Sequence, residues 1–111
     1  MTELNRALLA ENQEILARFV AAGSDLSSAR VIDFEHLFEH RSQAEAFLRT
    51  AKERGYTATL YDRDDGLWDA QARREMVPTA EAITAAEQEL GQLAIEAGGN
   101  ADGWGFFRSN S

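Results

Sequence analysis

The feature that most constrains the fold is a strict alternation of side chains over residues 67–77. One set of alternate positions is apolar: Trp68, Ala70, Ala72 and Met76. The other set is mostly charged or polar: Leu67, Asp69, Gln71, Arg73, Glu75 and Val77. This pattern is typical of an antiparallel strand with one face against the core and the other in water. We therefore expect a sheet with one solvent-exposed face.

Other segments extend this sheet. Residues 30–38 alternate as well, with Ile32, Phe34, His36 and Phe38 on one side and Val31, Asp33, Glu35 and Leu37 on the other. Residues 56–62 are rich in strand-forming residue types. Asp64-Asp65-Gly66, which follows them, is typical of a hairpin turn. Near the C-terminus, a glycine-rich turn precedes Phe106-Phe107, which is enough for a short final strand.

Three segments have helical periodicity, over residues 3–22, 43–54 and 80–97. In the first, the positions opposite the apolar stripe are Glu3, Asn5, Arg6, Glu11, Asn12 and Glu14. Ser42 and Glu45 have the spacing of a capping box before the second helix. Pro78 ends the preceding strand and Thr79 can cap the third helix, which ends at Gly98-Gly99.

The element order is a helix followed by βαββαβ, in a single α+β domain over residues 1–111. The simplest closed arrangement is a ferredoxin-like antiparallel sandwich with strand order 4-1-3-2 and helices on one face. The extra N-terminal helix must bury its apolar stripe, either in the helical layer or on the open face of the sheet. The sequence leaves both positions open.

Composition narrows the range of functions. The net charge is −8, and the 11 Lys and Arg residues are scattered. Proteins that bind nucleic acid usually carry a basic stripe, so direct nucleic-acid binding is not expected. The absence of cysteine excludes disulfides and thiol chemistry. No apolar run is long enough to span a membrane, and the N-terminal residues do not have the pattern of a signal peptide.

Chemistry-bearing motifs are also lacking. His36 and His40 are four residues apart, but they straddle a strand end, and no third ligand accompanies them. We therefore predict no metal, no cofactor and no catalytic residues. The fold order resembles that of the RNA-recognition module, which stacks bases on aromatic residues of its first and third strands. The exposed positions of the third strand are Asp69, Gln71, Arg73 and Glu75, which makes RNA binding there unfavourable.

Several short motifs occur in a distinctive order along the chain: Gly23-Ser24-Asp25, the strand Arg30–His36, Arg54-Gly55-Tyr56, Val77-Pro78-Thr79 and Gly98-Gly99 followed by Asp102-Gly103-Trp104-Gly105. Together they resemble the ribonuclease E inhibitor family RraB (regulator of ribonuclease activity B), over nearly the whole chain. Ala101 stands where the family usually has tyrosine. The resemblance implies a cytoplasmic bacterial protein with a ferredoxin-like fold and no cofactor, which binds an endoribonuclease, ribonuclease E, and modulates its cleavage of RNA.

The leading hypothesis is therefore a non-catalytic regulator that binds a basic region of a protein partner. The candidate contact residues are Asp33, Glu35, Asp64, Asp65, Asp102 and Trp104. Tryptophan is enriched among residues that dominate binding energy, although Trp104 could equally fill the edge of the core within a tight turn. Two alternatives are a generic interaction module, monomeric or homodimeric through the open sheet, and a small enzyme.

Overall fold

The computed structural model describes residues 3–107. Three helices and four strands alternate along the chain: α1 (Arg6–Ala21), β1 (Arg30–Phe38), α2 (Arg41–Glu53), β2 (Thr57–Asp62), β3 (Trp68–Met76), α3 (Ala80–Ala97) and β4 (Asn100–Phe106). The predicted α+β class and element order are confirmed. Among these residues, none of the helices combines the length and apolarity that crossing a membrane requires.

The four strands form one antiparallel sheet in the order β2-β3-β1-β4. A sheet can be read from either edge, and from the β4 edge the same neighbours read 4-1-3-2. The ferredoxin-like assignment stays a prediction, because the order of neighbours does not fix the handedness of the crossovers.

The core lies between one face of this sheet and the helices. The residues of β1 that the alternation assigned to one side, Ile32, Phe34, His36 and Phe38, are all buried. They face a helical layer that contributes Ala44, Phe47, Ala51, Ile83, Leu90 and Ala94. The intervening residues of β1 are only partly buried. The predicted faces of β1 are therefore confirmed. When one face of a sheet is covered, alternate residues of a strand are buried, and the order of apolar and polar residues in the strand shows which ones.

The first helix joins the helical layer, which answers the question that the sequence left open. α1 packs against α3, and the ring of Phe19 lies 4.9 Å from that of Phe106 on β4, edge to face. The prediction that Asn12 belongs to the exposed side of this helix is wrong. Asn12 is 1% exposed, because its amide bonds side chains of α3 and β4.

The predicted capping box of the second helix is also wrong. The N-cap of α2 is His40, whose side chain makes no capping bond, and the helix begins at Arg41. Glu45 instead accepts a hydrogen bond from Arg41 at 3.0 Å, one helical turn away. By contrast, Thr79 caps α3 as predicted, with its hydroxyl accepting from the Ala82 amide at 3.1 Å.

The glycine-rich segment near the C-terminus belongs to a strand and not to a turn. β4 pairs with β1 from Asn100 onward, and the register shifts so that two residues, Asp102 and Gly103, oppose Glu35 alone. Such a bulge tolerates the left-handed backbone of Gly103, with φ of 108°. The prediction of a turn was wrong because glycine marks strand bulges as well as turns.

Candidate functional site: the open face of the sheet

The face of the sheet opposite the helices is uncovered within residues 3–107. We call it the open face. It consists of Thr57, Thr59 and Tyr61 from β2, Asp69, Gln71, Arg73 and Glu75 from β3, Val31, Asp33, Glu35 and Leu37 from β1, and Gly105 and Phe107 at the β4 side. Cross-strand partners share a face, so the register fixes this membership.

Arg73 lies at the centre of the open face and is only 9% exposed. Its guanidinium donates to the hydroxyl of Thr59 at 3.0 Å, to the hydroxyl of Tyr61 at 3.1 Å and to the side-chain oxygen of Gln71 at 2.8 Å. The same group lies 4.3 Å from the centre of the Phe107 ring. The sequence pattern predicted a wet position here. The neighbouring side chains of β2 and β3 bury the arginine instead.

Two carboxylates of the open face each have one buried oxygen without a hydrogen-bond donor among the described residues. Asp33 Oδ1 lies 3.9 Å from Arg73 Nε, which is an ion pair but too long for a hydrogen bond. Both of these atoms, and Asp69 Oδ1, are buried without a hydrogen-bond partner among the described residues. Burial raises the pKa of Asp33 above its usual value, although Arg73 partly offsets that effect.

Glu35 completes an acidic region with these two residues. Its pKa is raised by burial first, and then by the negative charges of Asp69, Asp33 and Asp102. Gln71 bridges two of the acids, donating to Asp69 at 3.0 Å and to Glu35 at 3.3 Å. Asp102 is exposed in the bulge opposite Glu35. Two of the predicted contact residues, Asp33 and Glu35, therefore lie on the open face, and Asp102 lies beside them.

The other two predicted acids serve the β2–β3 hairpin. Asp64 adopts a left-handed backbone with φ of 62°. Asp65 accepts a hydrogen bond from the Leu67 amide at 3.1 Å and pairs with Arg63 at 3.2 Å. Both residues are exposed, at the end of the hairpin. Their carboxylates remain available to a partner there, in addition to shaping the turn.

Trp104 lies on the opposite side of the sheet from these acids. It pairs with Phe34, whose side chain faces the helices. Its indole Nε1 donates to Asn12 Oδ1 at 2.9 Å, and the Asn12 amide donates to Thr84 at 3.0 Å and to Glu87 at 2.6 Å. Trp104 therefore links β4 to both α1 and α3. Its side chain faces the helices, on the side of the sheet opposite Asp33 and Glu35.

The histidines do not form a metal site. His36 is 2% exposed, and its ring lies 4.5 Å from that of Phe47. Its Nδ1 lies 3.3 Å from the Ala70 carbonyl oxygen. Burial lowers the pKa of His36 to about 4. His40 is exposed at the start of α2, and no cluster of potential metal ligands occurs in the described part of the chain.

An open groove runs along α3. Its polar side chains bond one another: the Tyr56 hydroxyl donates to Glu89 at 2.9 Å, and Arg54 pairs with the same carboxylate at 3.1 Å. Glu87 accepts from Asn12 at 2.6 Å, and burial raises its pKa. These bonds stabilise contacts between elements. The open face, in contrast, has buried polar atoms without partners among the described residues, which makes it the candidate site.

A family model for "regulator of ribonuclease activity B" matches residues 9–106. The chain belongs to the RraB family. The match extends from the first half of α1 to the end of β4 and so includes both faces of the sheet. The comparison with curated proteins found no match.

The motifs that carried the resemblance to RraB proteins have structural roles in this chain. Gly98 ends α3 in the left-handed conformation, with φ of 99°. Gly99 follows at a close approach, because a Cβ there would lie 2.5 Å from both the Leu37 carbonyl oxygen and the Phe38 ring. Gly103 forms the bulge and Trp104 holds the helices. These motifs explain how the fold is built, and they leave the open face as the candidate site of RraB-type regulation.

Proposed function

We propose that this RraB-family protein regulates an endoribonuclease by binding it directly through the open face, without catalysing a reaction itself. The observation that carries this proposal is the group of four acids on or beside that face, Asp33, Glu35, Asp69 and Asp102, whose charges act on one another. Family membership supports the target class, a ribonuclease. Within that class we propose ribonuclease E as the target and the cytoplasm as the location.

The mechanism follows from charge. An endoribonuclease holds RNA with Lys and Arg side chains, which attract phosphate and carboxylate alike. An acidic face on a chain of net charge −8 would approach such a region quickly and exclude RNA from it. Binding of this kind weakens as salt increases, because screening reduces the attraction between exposed charges.

The test is cleavage of a defined RNA by ribonuclease E, with and without the protein, at low and physiological salt. We expect cleavage to slow or to shift between sites, with a larger effect at low salt. A variant with Asp33→Asn and Glu35→Gln should lose about tenfold in potency. The matched control carries Glu53→Gln and Glu96→Gln, which remove two exposed helical charges. Equal potency of the two variants would refute the role of the open face.

A pull-down from cytosol provides an independent check. The tagged protein should retain an endoribonuclease or the scaffold that carries it, and elution should follow rising salt. Repeated failure to enrich either one would argue strongly against regulation by direct binding.

Homodimerisation through the open face is the less favoured alternative. A twofold dimer would bring Asp33, Glu35 and Asp69 of one copy near the same acids of the other, and like charges in close contact are unfavourable. Light scattering over a range of concentrations tests this point. A tight dimer whose formation protects the backbone amides of the open face would favour the assembly module over the nuclease regulator.

A further inference from the structure

The open face contains hydrogen-bonding groups that no residue within 3–107 satisfies. Asp33 Oδ1, Asp69 Oδ1 and Arg73 Nε are buried and make no hydrogen bond within that range. A buried polar atom without a partner lowers stability by about 1–3 kcal/mol. Arg73 is more than nine-tenths buried, and both of its terminal nitrogens already donate to Thr59, Tyr61 or Gln71. The two carboxylate oxygens therefore lack donors among the described residues.

A second feature of the same face is apolar. Next to Arg73 there is a shallow depression between Val31, Thr57 and Phe107. Phe107 is 39% exposed, one of the more exposed large apolar side chains of the described residues. An acidic region and an apolar depression thus lie side by side, and a ligand that fits both must carry a cation and an apolar group close together.

We infer that the open face binds an extended peptide segment of the partner, with arginine side chains at Asp33 and at Asp69 and an apolar residue in the depression beside Val31 and Phe107. The inference rests on the proposed function for the choice of face. It adds the chemistry of the occupant, which is a basic and apolar segment and not a uniformly charged surface.

Arginine fits better than lysine because each of the two acids has a carboxylate oxygen without a donor among the described residues. The register places Asp69 opposite Leu37, four residues along β1 from Asp33, so the two acids would hold separate side chains of the occupant. A planar guanidinium has five N–H donors and can bond both oxygens of a carboxylate at once, whereas an ammonium acts as a compact point charge. Arginine also keeps its charge when it is partly desolvated.

The spacing of the occupant follows from strand geometry. Val31 and Asp33 are alternate residues of β1, so their side chains stand roughly 7 Å apart on one face. Asp69 pairs with Leu37, which lies further along the same strand. An extended segment that places an apolar side chain beside Val31 would therefore reach Asp33 with an arginine about two residues away and Asp69 with one about six residues away.

The charge of the face argues against the two other occupants. RNA would bring phosphates to Asp33, Glu35 and Asp69, which repel them. A second copy of this chain would bring the same acids. A basic segment of a different protein is the occupant whose charge is complementary to this face.

The test is direct binding of a fluorescent peptide in which leucine and arginine alternate, with glycine between them. Replacing arginine by lysine should weaken binding by about fivefold. Replacing leucine by serine should weaken it by a similar factor, about fivefold. Asp33→Asn with Asp69→Asn should weaken it by about tenfold, whereas Glu53→Gln with Glu96→Gln should change it by less than about twofold.

Amide chemical shifts measured on the unmodified protein keep the test independent of variant folding. The peptide should shift the resonances of Val31, Gly105 and Phe107 and leave those of α2 unchanged. Equal affinity of the arginine and lysine peptides, shifts confined to the helices, or an RNA oligonucleotide that displaces the peptide from the face would each overturn the inference. This binding assay contains no nuclease. If the protein inhibited ribonuclease E but bound the arginine and lysine peptides equally, this inference would be refuted and the proposed function would stand.

Discussion

Replacing His36 by leucine should remove a large part of the loss of stability in acid. His36 is buried beside Phe47, and burial lowers its pKa from 6.5 to about 4. In the unfolded chain the imidazole takes up a proton as the pH falls below 6.5, whereas in the folded protein it stays neutral until about pH 4. Acid therefore favours the unfolded state through this residue, and the stability is lost as the pH falls through that window.

The magnitude follows from the shift. Each pKa unit corresponds to about 1.4 kcal/mol. Protonation of this imidazole in the unfolded chain therefore lowers the free energy of unfolding by about 3 kcal/mol between pH 7 and pH 4. The leucine variant loses the contact of Nδ1 with the Ala70 carbonyl oxygen, 3.3 Å away. That loss is nearly independent of pH. The difference in unfolding free energy between variant and parent should therefore rise by about 3 kcal/mol in favour of the variant on acidification.

Urea unfolding followed by circular dichroism between pH 7 and pH 4 measures this difference. Carboxylates with perturbed pKa values contribute to both proteins, so their effect cancels in the comparison. The control is His40→Leu, which removes the other histidine and leaves His36 in place; it should keep the parent's loss of stability in acid. Parallel stability curves for the parent and His36→Leu would show that a buried neutral imidazole is not the cause.

Three further predictions concern stability. Asn12→Ala removes the buried amide that joins α1 to α3 and β4, and urea unfolding should show a loss of about 2–4 kcal/mol; a change below about 0.5 kcal/mol would contradict the network. Gly99→Ala should lower stability by about 2–3 kcal/mol through contact with Phe38, whereas Gly105→Ala, which meets open space, should be tolerated in the same thermal unfolding assay. Glu35→Gln should stabilise the protein by about 0.3 kcal/mol at pH 7, because its raised pKa penalises the ionised form, and the gain should vanish as the pH falls through that pKa.

Local pattern was sufficient to predict most elements of the fold. α3 spans Ala80–Ala97 as its helical periodicity predicted, and β1 spans Arg30–Phe38 as its alternation predicted. In both cases the signal is internal to the segment, since one face of a helix or strand is buried whatever covers it. The acidic character of the open face was likewise predictable, because Asp33 and Glu35 fall on the side of β1 opposite its apolar residues.

Contacts between distant segments could not be predicted in the same way. Asn12 is buried because its partners Thr84 and Trp104 lie 72 and 92 residues away in the sequence. Arg73 is buried because Thr59, Tyr61 and Phe107 close around it from two other segments. An isolated polar residue in a helical or strand pattern carries no sign of such partners. The sequence does contain a weak signal that Asn12 is buried, because it lies four residues, about one helical turn, from both Leu8 and Leu16 of the apolar stripe.

The polar groups on the two faces of the sheet have different effects. Those on the covered face stabilise the fold, whereas those on the open face are left for a partner to bind. On the covered face, polar groups such as Asn12 and Trp104 satisfy one another, and the fold gains from each bond. On the open face, Asp33 and Asp69 have buried oxygens that no donor of the described residues reaches, and other acids nearby repel them. Such groups reduce the stability of the free protein, and a cation from a partner would recover the loss on binding. A group that lacks a partner in the free protein gains a hydrogen bond when a donor binds, so it favours association.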